Sequence, residues 1–129
     1  MLSFYVPSET SELLAWVSAL VTIFFGLLLL VAPRLSFRIL RIQTVPRHPE
    51  AVAEGRGTMA GFYLGVGLCA IVFAQPLLYI ALGAGWGFTA LGRLMSMLFD
   101  RGLTLFNLIS VCIEAALAAA PLLYAVSVM

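Results

Sequence analysis

The chain has 129 residues, 63% of them hydrophobic and only 10% charged, with a mean hydropathy of +1.10 and a net charge of +1. A soluble domain is about 45–50% apolar and about 25% charged, and a chain this small cannot bury so much apolar surface in its own core. A soluble enzyme, a disordered chain and a nucleic-acid-binding module are excluded, and the bilayer must act as solvent for most of the surface.

Four apolar stretches follow in order, at about 13–32, 57–74, 77–99 and 103–128. Each is near the ~20 residues that cross a bilayer. The first ends at Pro33-Arg34. Its leading segment carries Glu9 and Glu12 and no basic residue, so it reads as a retained membrane helix rather than a signal peptide. The second can begin as early as Pro49-Glu50, since proline is well placed at a first helical position. Gln75-Pro76 and Asp100-Arg101-Gly102 leave only short turns, which make consecutive helices antiparallel neighbours. The expected fold is a single all-α, polytopic domain: an antiparallel bundle of four transmembrane helices with an amphipathic cytoplasmic loop segment.

All seven basic residues are arginine. With four spans, Arg34, Arg38, Arg41, Arg47, Arg56 and Arg101 fall on one side, and Arg93 in the half-span nearest it. The opposite side holds Glu9 and Glu12. The positive-inside rule predicts both termini on the outer side and the 33–56 loop and 100–102 turn in the cytoplasm. Tyr5, Trp16, Tyr79, Trp86 and Tyr124 are expected to form an aromatic belt toward the outer face. Within the loop, Arg34, Arg38 and Arg41 share a helical face beside Leu35, Ile39 and Ile42. This segment, 34–42, is either a basic topology anchor or an interfacial helix reading lipid headgroups.

Ionisable groups at membrane depth are costly, and mark either tight pairing or function. The candidates are Glu54, Arg56, Arg93, Asp100 and Glu114, with Ser96, Asn107 and Ser110 completing two polar stripes. Folding the last two spans about Arg101-Gly102 brings Arg93 level with Ser110, and Glu114 lies about 6 Å deeper. Side chains lean toward their own helix N-terminus, so Arg93 and Glu114 lean toward each other across the hairpin. The sequence predicts an Arg93–Glu114 pair, with Ser96, Asn107 and Ser110 satisfying the remaining polar groups and Asp100 left to Arg56 or Arg101. The network either fixes helix register or forms a pocket for a small polar ligand, a headgroup or a proton.

Gly57, Gly61 and Gly65 repeat at four-residue spacing, as do Gly83 and Gly87, and Ala116 and Ala120. Such stripes let helices approach closely, inside the bundle or against another chain. Cys69 and Cys112 lie in apolar runs without a C-x-x-C motif, and the sole histidine, His48, lies between prolines; neither a metal site nor a redox dithiol is suggested.

Glu54-Gly-Arg56, then Gly92-Arg93-Leu94 with Ser96 and Asp100, then Glu114 in the last span, resemble the pattern of a family of small bacterial four-helix membrane proteins of unknown function. The likeness covers roughly residues 50–129, and Arg101 stands between the Asp and Gly of that pattern. The architecture is more distantly similar to the DoxX-like group, which includes subunits of quinone-linked membrane oxidoreductases. The resemblance implies a four-helix bundle and supplies no catalytic role.

Two functional expectations follow. One is a non-catalytic accessory, assembly or stabilising subunit of a larger membrane complex, or a small homo-oligomer, meeting another membrane protein or itself through small-residue faces. The other is a binding protein or enzyme acting on a lipid, quinone or other amphipathic molecule at Arg93 and Glu114. Ser96 and Ser110 have no histidine at membrane depth, which leaves nucleophilic catalysis without a base. No cofactor is predicted, though a bound lipid or quinone fits either expectation. A ligand-sized cavity at Arg93, Ser96, Asn107 and Glu114 separates the two.

Overall fold

A computed structural model describes residues 5–129. The described residues form five helical segments and no strands: α1 (Thr10–Val31), α2 (Pro33–Leu40), α3 (Glu50–Phe73), α4 (Pro76–Phe99) and α5 (Leu105–Val128). Four of them, α1, α3, α4 and α5, are long and apolar enough to cross a membrane. The 24-residue helices α3, α4 and α5 each rise about 36 Å, more than the ~30 Å hydrocarbon core. The protein is therefore an all-α, multi-pass membrane protein.

Proline sets the boundaries. Pro33 opens α2 and Pro76 opens α4, where a missing N–H costs nothing. Ala74 closes α3 in the left-handed region, at φ 51°. The α3 helix starts at Glu50, the earlier of the two starts open to the second span, and carries a π-turn over Gly55–Met59. Thr104 caps α5 by accepting from the Asn107 amide at 3.2 Å.

The most extensive packing joins α4 to α5, followed by α1 to α3 and α1 to α5. Small residues set the closest approaches. A Cβ on Gly83 would stand 2.5 Å from Leu122 Cγ and 2.9 Å from the Ala118 carbonyl oxygen. On the other side of the bundle, a Cβ on Gly67 would meet Ile23 Cγ1 at 2.7 Å, and one on Gly26 would meet Leu64 Cγ at 2.8 Å. In α5 it is Ala118 that is buried here, whereas Ala116 is exposed and Ala120 half-buried.

Several polar groups inside the bundle are paired, whereas the buried Trp16 indole N–H has no hydrogen-bond partner among the described residues. Pro121 lies inside α5 and cannot donate to the Leu117 carbonyl; the buried Ser18 hydroxyl of α1 donates to it instead, at 2.7 Å. The Trp86 indole N–H donates to Thr22 Oγ1, which donates to the Ser18 carbonyl, both at 2.8 Å. At the acidic end, the hydroxyls of Tyr5 and Tyr124 both donate to Glu12, and Tyr79 packs edge-on against Tyr124. The hydrogen bond to the Glu12 carboxylate is the main reason that the Tyr5 phenol pKa is pushed up to about 12. Three members of the expected aromatic belt are thus interior residues: Tyr79, Trp86 and Tyr124 are buried within the bundle.

Candidate functional site

The turn between α4 and α5 fixes the site. Asp100 and Gly102 both donate backbone N–H groups to the Ser96 carbonyl, at 2.9 and 3.3 Å. Arg101 takes the left-handed conformation between them, at φ 55°. A Cβ on Gly102 would stand 2.9 Å from the Ser96 oxygen, so the chain turns this tightly only with glycine there. Arg101 is accommodated within this turn, and α4 and α5 leave it as an antiparallel hairpin.

That register brings Arg93 of α4 onto Glu114 of α5. The guanidinium donates Nε–H to Oε1 and Nη2–H to Oε2, both at 2.8 Å, in the planar two-point geometry that makes such pairs strong. Its Nη1 donates to Asn107 Oδ1 at 2.8 Å, and Asn107 Nδ2 donates to the Gly102 carbonyl at 2.7 Å. The pair is therefore tied to the turn that positions it. Glu114 is buried at 7% exposure, and Arg93 is half-buried.

The other expected members fall elsewhere. Ser96 donates to Asp100 Oδ2 at 2.8 Å and does not reach Arg93. Asp100 is exposed and pairs with neither Arg56 nor Arg101 among the described residues. Arg56 instead donates to the Leu30 carbonyl at 2.9 Å, satisfying an orphan acceptor at the C-terminal end of α1. Glu54 is exposed and makes no side-chain hydrogen bond among the described residues. The glycine between them has a packing role, since a Cβ on Gly55 would lie 2.8 Å from Phe37 Cζ of α2. Ser110 lies beside the pair with no hydrogen bond from its hydroxyl to a described residue.

The pair lines a cavity of about 520 Å³. This is within the ~300–1,000 Å³ range of small-molecule sites. All five helices contribute to its walls: Phe25 and Leu29 of α1, Ser36 and Ile39 of α2, Tyr63 of α3, Trp86 and Thr89 of α4, and Phe106, Ser110 and Ile113 of α5. Among the described residues Arg93 and Glu114 are its only charged lining residues; Ser96 and Asn107 stay outside it. Trp86 forms part of the aromatic wall, its ring centre 5.6 Å from that of Tyr63 and 6.1 Å from that of Phe25. The sequence could not single out Trp86, Tyr63 or Phe25 as cavity residues, because aromatic residues recur on every face of these spans.

The basic segment folds back as a roof. Phe37 is buried against Leu29 and Ala60, and Ile39 and Leu40 face the cavity. Arg34 and Arg38 are exposed. Arg41 lies beyond the end of α2 with φ 60°, so it does not continue the arginine face of that helix. Its guanidinium sits 4.9 Å from the centre of the Phe106 ring, a cation–π contact at the edge of the cavity.

The expected helix-packing stripe divides. Gly83 is in tight contact, and a Cβ on Gly87 would touch only Ala118, at 3.9 Å. Beyond their own helix backbone, Gly57, Gly61 and Gly65 have no atom of a described residue within 4 Å of where a Cβ would stand. They face outward along an open groove between α3 and α4. Among the described residues no three His, Cys, Asp or Glu side chains converge, and Cys69 and Cys112 are free thiols.

Residues 11–126 match the family model described as domain of unknown function DUF4345. The chain belongs to the DUF4345 family. The match takes in all four long helices, α1 included. No curated protein and no solved structure matches this DUF4345 chain.

Proposed function

We propose that this DUF4345 protein binds an amphipathic small molecule within the membrane, in the cavity headed by Arg93 and Glu114. The observation that carries the reading is the cavity itself. It combines ligand-sized volume, apolar and aromatic walls, and one polar end with an ion pair and an unpartnered serine hydroxyl. Lipids, quinones and other isoprenoid or acyl molecules have this shape and polarity. A purely structural network would instead fill the space beside the pair with packed side chains. The reading is tested by purifying the protein from native membranes in mild detergent and identifying bound small molecules. A stoichiometric amphiphile is expected, and Ser110→Phe, which fills the polar end of the cavity, should lose it. Equal recovery from both proteins would count against the site.

The open glycine face favours a second reading, association with another membrane chain as an accessory subunit or homo-oligomer. Gly57, Gly61 and Gly65 form a small-residue stripe that no described residue packs against, and such stripes permit close helix contact. Both readings place the protein in a bacterial cytoplasmic membrane, basic end inward, where Arg34 and Arg38 meet anionic headgroups.

A further inference from the structure

The charge and hydrogen bonding of the cavity specify its ligand more closely. Arg93 and Glu114 are its only charged lining residues, and they neutralise each other at hydrogen-bond distance. Both carboxylate oxygens and three of the five guanidinium N–H groups are engaged. An anionic headgroup would have to compete with a buried carboxylate, and a cationic one with the guanidinium. Either would leave an uncompensated charge at membrane depth, which is expensive. The groups left to a ligand are the Ser110 and Tyr63 hydroxyls, which make no hydrogen bond to a described residue, and the spare guanidinium N–H groups. These suit an uncharged head with carbonyl or hydroxyl oxygens. The exposed arginines of α2 do not alter this, because Arg34 and Arg38 do not line the cavity and Arg41 is stacked on Phe106.

Resting on the binding reading above, we infer that the cavity selects an electrically neutral, oxygen-bearing amphiphile with a single tail or ring system, and rejects its anionic counterpart. The size agrees, since about 520 Å³ suits a molecule of ordinary ligand size.

Two probes with the same tail and glycerol, one neutral and one anionic, test this: a 1-acylglycerol brominated on its acyl chain, and the same molecule carrying a 3-phosphate. Bromine quenches tryptophan fluorescence on contact. The full chain carries Trp16→Phe, which leaves Trp86 in the cavity wall as its only tryptophan, and sits in phosphatidylcholine nanodiscs. The neutral ester should half-quench Trp86 at a mole fraction at least ten-fold below that of the phosphate ester. In Glu114→Gln, which keeps the side-chain shape but unmasks the guanidinium, that preference should shrink at least five-fold or reverse. A preference under ten-fold in the parent, or an unchanged preference in Glu114→Gln, overturns the neutral-head inference while leaving the cavity as a binding site. If neither probe quenches Trp86 more than in a Ser110→Phe control, the binding reading fails and this inference with it.

Discussion

Ser18 donates its hydroxyl to the carbonyl of Leu117, 2.7 Å away, the one acceptor in α5 that Pro121 leaves without a helical N–H. A proline that would otherwise expose a backbone carbonyl to hydrocarbon is thereby tolerated, and α1 is locked to α5. Ser18→Ala should cost about 1 kcal/mol, the usual net loss for one such bond. Pro121→Ala restores a donor to Leu117, so the serine should then matter less. Reversible unfolding in mixed micelles, run as a double-mutant cycle, measures the coupling. Equal Ser18→Ala losses in both backgrounds would show that the hydroxyl is not serving this carbonyl.

The Arg93–Glu114 pair is buried enough that either partner alone is a liability. Arg93→Ala should destabilise the bundle by about 3–5 kcal/mol, because the buried Glu114 carboxylate keeps its desolvation cost without its partner; Glu114→Ala should cost less, since Arg93 is only half-buried. Exchanging the two, Arg93→Glu with Glu114→Arg, should accumulate in membranes better than either single reversal, though below the parent. Recovery stays incomplete because the glutamate at 93 would face the Asn107 carbonyl, which now accepts from Arg93. Quantifying the membrane-inserted protein decides the matter.

The hairpin and its ion pair were legible because charges are rare in this chain. A turn at Arg101-Gly102 fixes register, and helical lean then brings two oppositely charged side chains together. The start of the second span is open between Glu50 and about residue 57 in the sequence because Glu50–Met59 is mixed in polarity; in the structure helix runs through it, with Phe37 packed against Gly55. The position of Trp86 along its span predicts an interface residue, yet its indole reaches inward to Thr22. A helix that is apolar all round gives no periodic signal separating its lipid face from its core face. The same blindness applies to glycine. The regular stripe at 57, 61 and 65 faces outward, while Gly26 and Gly67, which belong to no conspicuous stripe between them, bring α1 and α3 into contact. The cavity was beyond reach of spacing arguments, because it depends on α2 folding back over the bundle.

The arginine asymmetry predicts orientation independently of the cavity. In a background lacking Cys69 and Cys112, a cysteine replacing His48 should react with a membrane-impermeant maleimide only after the membrane is opened. A cysteine replacing Gln75, in the opposite turn, should react in intact spheroplasts. The reverse pattern would place the arginine-rich loop outside.

The glycines should fall into two classes when each is replaced by alanine. Gly83→Ala must displace Leu122 and crowd the Ala118 carbonyl, and overpacking of this kind costs about 1–3 kcal/mol. Gly67→Ala should behave similarly against Ile23. Gly61→Ala meets no atom of its own chain, and losing a helical glycine should leave stability unchanged or raise it by about 1 kcal/mol. Gly61→Leu separates the two uses of that open face. If the stripe only meets lipid, the leucine variant remains folded and its oligomeric state in nanodiscs is unchanged. If the stripe receives another helix, the variant remains folded as a monomer but loses its partner, because the larger side chain prevents close approach. Thermal unfolding together with single-molecule counting of subunits in native membranes reads both quantities on the same protein. A Gly61→Ala variant as unstable as Gly83→Ala would instead mean that the open face is packed by this same chain.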